Sequence, residues 1–263
     1  MSFLPAFVPG QGLALLALAV VAGLAGGWCW TASLSYARRL HAGGQADASG
    51  LAAALSSAAR VCRRRAWLAA LAVLRGRPRL RRVDGGCLAS AALLAAGCTA
   101  SMSHYGFTPH ALLVCVAGAQ LLLLALIDAR TWLLPDALTL PLLWMGLALC
   151  WMGWGTVSLH NALAGAMAGY GVLWLLQQGF RRVRGLDGMG HGDLKLLAAL
   201  GAWVGWQALP WVLLAACVSA TVFAMARQRT LFPSGAYPFG PFLAMAGMGV
   251  FILGSEVHLW FYR

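Results

Sequence analysis

Eight apolar runs divide this chain, near residues 11–34, 86–103, 108–128, 138–156, 161–180, 194–207, 211–226 and 240–260. A helix crossing the hydrocarbon of a bilayer needs roughly 20 mostly apolar residues. Only helices and closed barrels can satisfy every backbone polar group there. Runs of this length exclude an ordinary soluble domain and predict an all-α, polytopic integral membrane protein of about eight transmembrane helices. The sixth run is the shortest.

The charges bear on the count. With 19 Lys and Arg against 7 Asp and Glu, the 263 residues carry a formal charge of +12. An outward-facing N-terminus gives the loops 35–85, 129–137, 181–193 and 227–239 respectively 11, 1, 3 and 2 arginines, and the opposite loops none. Basic loops stay on the cytoplasmic side, and the asymmetry needs eight spans, because dropping the sixth would put Arg227 and Arg229 outside. In so apolar a chain the basic balance points to anionic membrane lipid as a partner, and no nucleic acid is expected.

The organisation that follows is a first transmembrane helix (1–34), an Arg-rich cytoplasmic loop (35–85) and a membrane-embedded unit (86–263). The stretch from Met1 through Ala37 is uncharged, so the first apolar run lacks the basic start of a cleavable signal peptide and reads as a permanent helix. Within the basic loop, the apolar pieces 51–59 and 66–74 are too short to cross and read as interfacial helices on anionic lipid. The seven cysteines form no Cys-x-x-Cys pair and read as small core residues, with no metal site. Gly165-x-x-x-Gly169 and Gly201-x-x-x-Gly205 favour close helix packing.

Four of the seven acids, Asp128, Asp136, Asp187 and Asp193, fall at one membrane face in this layout. Carboxylates at the edge of a hydrocarbon slab are costly and need a structural or a functional reason. Asp136 follows Pro135 at the start of an apolar run, where it can cap a helix. Asp187 lies between glycines in a polar loop and reads as a solvated turn residue. Asp128 ends an apolar run at a helix C-terminus, where the macrodipole disfavours negative charge, so capping does not account for it. Asp193 opens the run 194–207, and its position fits an N-cap or a catalyst equally. Two acids in opposed environments suit general acid–base hydrolysis of a peptide, with Asp193 as the base and Asp128 as the acid. Glycines alternate in Gly188-Met189-Gly190-His191-Gly192-Asp193, which lets the backbone approach another chain closely.

Three stretches, Leu126-Ile127-Asp128-Ala129-Arg130-Thr131-Trp132-Leu133-Leu134-Pro135-Asp136, Gly188-Met189-Gly190-His191-Gly192-Asp193-Leu194-Lys195 and Pro238-Phe239-Gly240-Pro241, closely resemble the type IV prepilin peptidases. These are bacterial inner-membrane aspartyl proteases of the Gly-x-Gly-Asp class. The resemblance covers about residues 108–260. It implies that 86–263 is an aspartyl peptidase domain with Asp128 and Asp193 as the catalytic pair, and that Gly190, Gly192, Asp136, Lys195, Pro238 and Gly240 support the site. For Lys195, a snorkelling role at the interface competes with that one. The substrates implied are prepilins and type II secretion pseudopilins, cut at the cytoplasmic face after a short basic leader, with no cofactor for proteolysis.

Many members of the family also methylate the new pilin N-terminus with S-adenosylmethionine and carry two Cys-x-x-Cys pairs in the first cytoplasmic loop, a zinc-type spacing. Here that loop holds Cys62, with Cys87 at its edge, and Trp30-Thr31-Ala32-Ser33-Leu34-Ser35-Tyr36-Ala37-Arg38-Arg39-Leu40 replaces the usual stretch after the first helix. This departure argues against methyl transfer; S-adenosylmethionine enters only if that activity is retained. Two alternatives belong to other classes. A non-catalytic pilus-assembly homologue would fit the altered loop but not the intact aspartate pair, and an ion-coupled transporter would carry its acids deep within helices. The sequence leaves the oligomeric state open.

Overall fold

The computed structural model describes residues 11–44, 46–74, 84–185, 190–230 and 235–261, and their side chains except at 11, 64–74, 184 and 253–261. The described residues form nine α-helices and a short 3-10 turn: α1 (Gln11–His41), α2 (Ala48–Leu74), α3 (Gly85–Tyr105), α4 (Pro109–Thr131), α5 (Asp136–Trp151), α6 (Leu159–Arg184), α7 (His191–Val204), the turn Trp206–Ala208, α8 (Leu209–Gln228) and α9 (Gly240–Phe261). Asp187 lies outside the described residues.

Local chemistry sets several boundaries. Thr108 Oγ1 accepts from the Ala111 N–H at the start of α4, with Pro109 in the first turn, where its missing N–H costs no helical hydrogen bond. Ser158 does the same for α6 through the Asn161 N–H. Trp132 ends α4 in the left-handed conformation at φ 58°, its N–H donating to the Asp128 carbonyl.

Each of the eight apolar runs carries a helix, although α5 ends at Trp151, before the expected end near 156, and the run 194–207 breaks after Val204. Among the described residues, five segments are long and apolar enough to cross a membrane alone: Gly12–His41, Gly85–Tyr105, Pro109–Thr131, Leu159–Val183 and Trp206–Gln228. Asp136–Trp151 and Gly240–Ile252 are shorter apolar helices. At 1.5 Å per residue, the 14 residues of α7 reach about 21 Å, less than the roughly 30 Å of bilayer hydrocarbon. α7 is the centre of the bundle, its residues from Leu196 through Val204 all buried.

Two expectations about the first loop change. α1 does not stop near residue 34 but runs 31 residues to His41, about 46 Å, so its end projects past the hydrocarbon. The pieces 51–59 and 66–74 belong to one continuous helix, α2, of 27 residues; the arginines between them are good helix formers and do not interrupt it. The first half of α2 turns back along α1. Leu51, Ala54 and Ala58 are buried with Cys29, Ala32 and Tyr36 of α1 and with Leu123 and Ile127 of α4.

Glycine permits the tightest contacts. A Cβ on Gly165 would overlap the Gly201 carbonyl, one on Gly201 would overlap that of Gly165, and one on Gly169 would lie 2.7 Å from the Leu197 carbonyl oxygen. Two helices whose backbones touch in this order run antiparallel, as small residues in membrane helices allow. α5 runs parallel to α7. Lys195 pairs with Asp136 at one end, and farther along the Trp203 Nε1–H donates to the Leu142 carbonyl at 2.9 Å while the ring fills the space over Gly146. The end of α4 and the starts of α5, α7 and α9 therefore meet at one end of the bundle.

Candidate active site

Asp128 and Asp193 meet at that convergence. Asp128, in the last turn of α4, is 5% exposed, and Asp193, in the first turn of α7, is 7% exposed. Neither carboxylate has a cation within salt-bridge distance among the described residues. Asp193 lies within electrostatic reach of Asp128.

What holds Asp128 comes from another helix. The Gly240 N–H donates to Asp128 Oδ2 at 3.1 Å, so the first turn of α9 offers one of its free N–H groups to a carboxylate that its own helix end disfavours. Only glycine fits: a Cβ at position 240 would lie 2.6 Å from Asp128 Oδ2. Pro238 restricts the backbone two residues ahead, and the Phe239 carbonyl accepts the N–H groups of Phe242 and Leu243 to open α9.

Asp193 has a different surrounding. The N-cap of α7 is Gly190, and no side-chain cap bond forms there, so the N-cap alternative for Asp193 is set aside. Its Oδ1 is buried and makes no hydrogen bond. Native folds keep few such atoms, and they concentrate where a further group is bound. Gly192 fits closely, since a Cβ there would lie 2.7 Å from that of Leu134. A Cβ on Gly190 would have ordinary contact, 3.8 Å from Asp193 Oδ2.

The capping expectation for Asp136 fails. Pro135 occupies the N-cap position of α5, no side-chain cap bond forms, and the carboxylate instead accepts from Lys195 Nζ at 2.7 Å on both oxygens. Lys195 is thus tied to α5, with 36% of its side chain exposed against 53% for Asp136. This pair joins the starts of α5 and α7, two residues past Asp193.

Two features had no signal in the sequence. Arg130, two residues past Asp128, donates to Ser33 Oγ at 2.7 Å and to the Leu126 carbonyl at 2.8 Å, and its guanidinium lies 4.1 Å from the ring centroid of Trp30. It anchors the end of α4 on α1. The second feature is a cleft of about 630 Å³ between the α1–α2 and α4–α5 turns, lined among others by Tyr36, Asp47, Leu134 and Asp136.

The segment that carries the two carboxylates has counterparts in known proteins. The model of the type IV leader peptidase family matches residues 115–225. That segment contains Asp128 and Asp193. Over that segment the chain is similar to the type IV leader peptidase family. Among its relatives is a protein of Burkholderia pseudomallei (strain 1026b) named prepilin leader peptidase/N-methyltransferase, 44% identical over 192 residues, which are 71% of this chain and 61% of the relative. Proteins of the same name from Aeromonas salmonicida (strain A449) and Escherichia coli (strain K12) are each 49% identical, over 54% and 48% of this chain and 49% and 56% of their own lengths. The chain thus spans between about half and three fifths of these relatives. No solved structure matches it.

The described residues contain no group of three or more His, Cys, Asp or Glu placed to hold a metal ion. Cys62, the thiol of the first loop, lies 3.3 Å from Thr31 Oγ1. S-adenosylmethionine would supply methyl transfer, but the cleft does not fit it. Asp47 and Asp136 could face its ammonium or sulfonium, but among the described residues no cation lines the cleft to receive its carboxylate.

Proposed function

We propose that this protein is an aspartyl endopeptidase that removes the leader from type IV prepilins and type II secretion pseudopilins at the cytoplasmic face of a bacterial inner membrane. The observation that carries the reading is the burial of Asp128 and Asp193 within reach of each other, where one helix ends and three begin. Residues 86–263 form the peptidase unit, and the basic first loop marks the cytoplasmic side and meets anionic lipid.

The acid and base roles come from the helix ends, the start of α7 favouring a charged Asp193 and the end of α4 a protonated Asp128; the Gly240 N–H on Asp128 opposes that split, so the two carboxylates share one proton. Asp193, with an oxygen free of hydrogen bonds, takes a proton from a water whose oxygen attacks the scissile carbonyl carbon. Asp128 gives its proton to the carbonyl oxygen. Because Asp128 Oδ2 accepts the Gly240 N–H, the proton it delivers resides on Oδ1. The resulting diol collapses, the C–N bond breaks, the amine leaves with the proton from Asp193, and Asp128 regains its own. The pair titrates as a unit, and the acid and base labels describe the starting microstate.

Proteolysis here calls on no cofactor, and methyl transfer is not part of the proposal. Co-expression with a candidate prepilin tests it. Wild type shortens the pilin and Asp193→Ala leaves it full length; equal pilin size in the two would sink the reading for that substrate.

A further inference from the structure

We propose that the cleft between the α1–α2 and α4–α5 turns receives a lysine or arginine side chain of a peptide whose neighbouring residues reach the aspartate pair. The inference rests on the peptidase reading only in taking the guest to be a peptide.

The cleft adjoins the site, because Leu134 lines it and also packs against Gly192, the residue before Asp193. Two carboxylates border it. Asp136 is engaged by Lys195. Asp47 has no ion-pair partner among the described residues; it accepts the Gly50 N–H at 2.8 Å and the Ser49 hydroxyl at 2.9 Å. Those bonds, the Gly50 N–H first, hold its carboxyl below the usual carboxylate range, so it is charged at neutral pH. Two donors leave an ionised carboxylate with lone pairs to spare.

The second observation is Tyr36. It is 1% exposed, lines the cleft and lies within electrostatic reach of Asp47, yet its hydroxyl oxygen has no hydrogen-bond partner. A buried hydroxyl left unpaired is costly, and a guest N–H would satisfy it. Pro135, Leu140 and Pro141 supply an apolar wall of the kind along which a Lys or Arg stem packs.

Asp47 also begins α2, its carbonyl accepting the Leu51 N–H, and a capping role alone would explain its hydrogen bonds. Asp47→Asn separates the two, because asparagine caps a helix as well as aspartate does but carries no charge. Tyr36→Phe removes only the hydroxyl. The full chain carrying Asp193→Asn, so that nothing is cut, is placed in phosphatidylcholine nanodiscs. It is titrated with a labelled peptide bearing two lysines beside an apolar segment, and with its glutamine twin.

The expected result is a preference of about threefold to fivefold for the lysine peptide, in line with a solvent-accessible ion pair, weakening as salt is raised. Asp47→Asn should bring the ratio close to one without changing the affinity for the glutamine twin or the melting temperature, whereas Tyr36→Phe should weaken both peptides, because either guest side chain carries an N–H. Equal binding of both peptides to the parent, or a preference that survives Asp47→Asn, would overturn the inference. Failure of the peptidase reading shows elsewhere, as absence of pilin shortening by the protein with both aspartates intact.

Discussion

Gly240→Ala isolates the geometry on which the proposed chemistry depends. An alanine Cβ would lie 2.6 Å from Asp128 Oδ2, 2.9 Å from Cγ and 3.3 Å from Cβ, so the carboxylate or the start of α9 must retreat. α9 is held farther along, where Tyr105 of α3 donates its hydroxyl to the Phe251 carbonyl at 3.0 Å and Met248 fills the space over Gly97 and Gly118. The carboxylate therefore gives way and its bond to the Gly240 N–H is lost. Misplacing a reacting group by roughly 1 Å costs about 100-fold in rate. The helix itself should not suffer, since alanine favours helix by about 1 kcal/mol over glycine. The assay is the initial rate of leader removal from a co-reconstituted prepilin, with thermal unfolding as the fold control. Gly190→Ala is the matched comparison: φ there is −73°, the nearest contact is an ordinary 3.8 Å, and the rate should stay near wild type. A folded Gly240→Ala protein that cleaves within threefold of wild type would refute the reasoning.

Gly201→Val should force α6 and α7 apart and lower stability by about 1–3 kcal/mol or more, read as melting temperature in detergent, whereas Gly171→Ala, with nothing within 4 Å of its Cβ, should be neutral. Lys195→Met removes a largely solvent-accessible ion pair and should cost at most about 1 kcal/mol; a double-mutant cycle with Asp136→Asn measures the coupling, and a larger value would mean the pair is more desolvated than its exposure indicates. Intact mass of a processed pilin should show no added methyl group, and a methyl group dependent on this protein would restore methyl transfer to the account.

The hydrophobic pattern reveals the helices because each run is long and bounded by loops rich in arginine, glycine or proline. It does not reveal how α7 sits, since a helix buried by neighbours and one surrounded by lipid are equally apolar in sequence. The break expected between 51–59 and 66–74 came from reading polarity as punctuation, whereas arginine continues a helix readily. Asp128 and Asp193 stand out because a carboxylate is conspicuous beside an apolar run. Their partners do not: Gly240 meets Asp128 from 112 positions away, and Arg130 meets Ser33 from 97. Asp136 shows the limit most clearly. Its place after Pro135 matches a cap, and only the parallel packing of α5 and α7 reveals that Lys195 claims the carboxylate.

The central claim is that Asp128 and Asp193 together cut the leader peptide bond. The most direct measurement is cleavage of a purified prepilin by reconstituted wild type, Asp128→Asn and Asp193→Asn across a full pH range, with the product identified by N-terminal sequencing. Both variants should fold and neither should cleave at any pH, since each lacks a group that must accept or give a proton. Near-normal cleavage by either one, at any pH, would contradict the account.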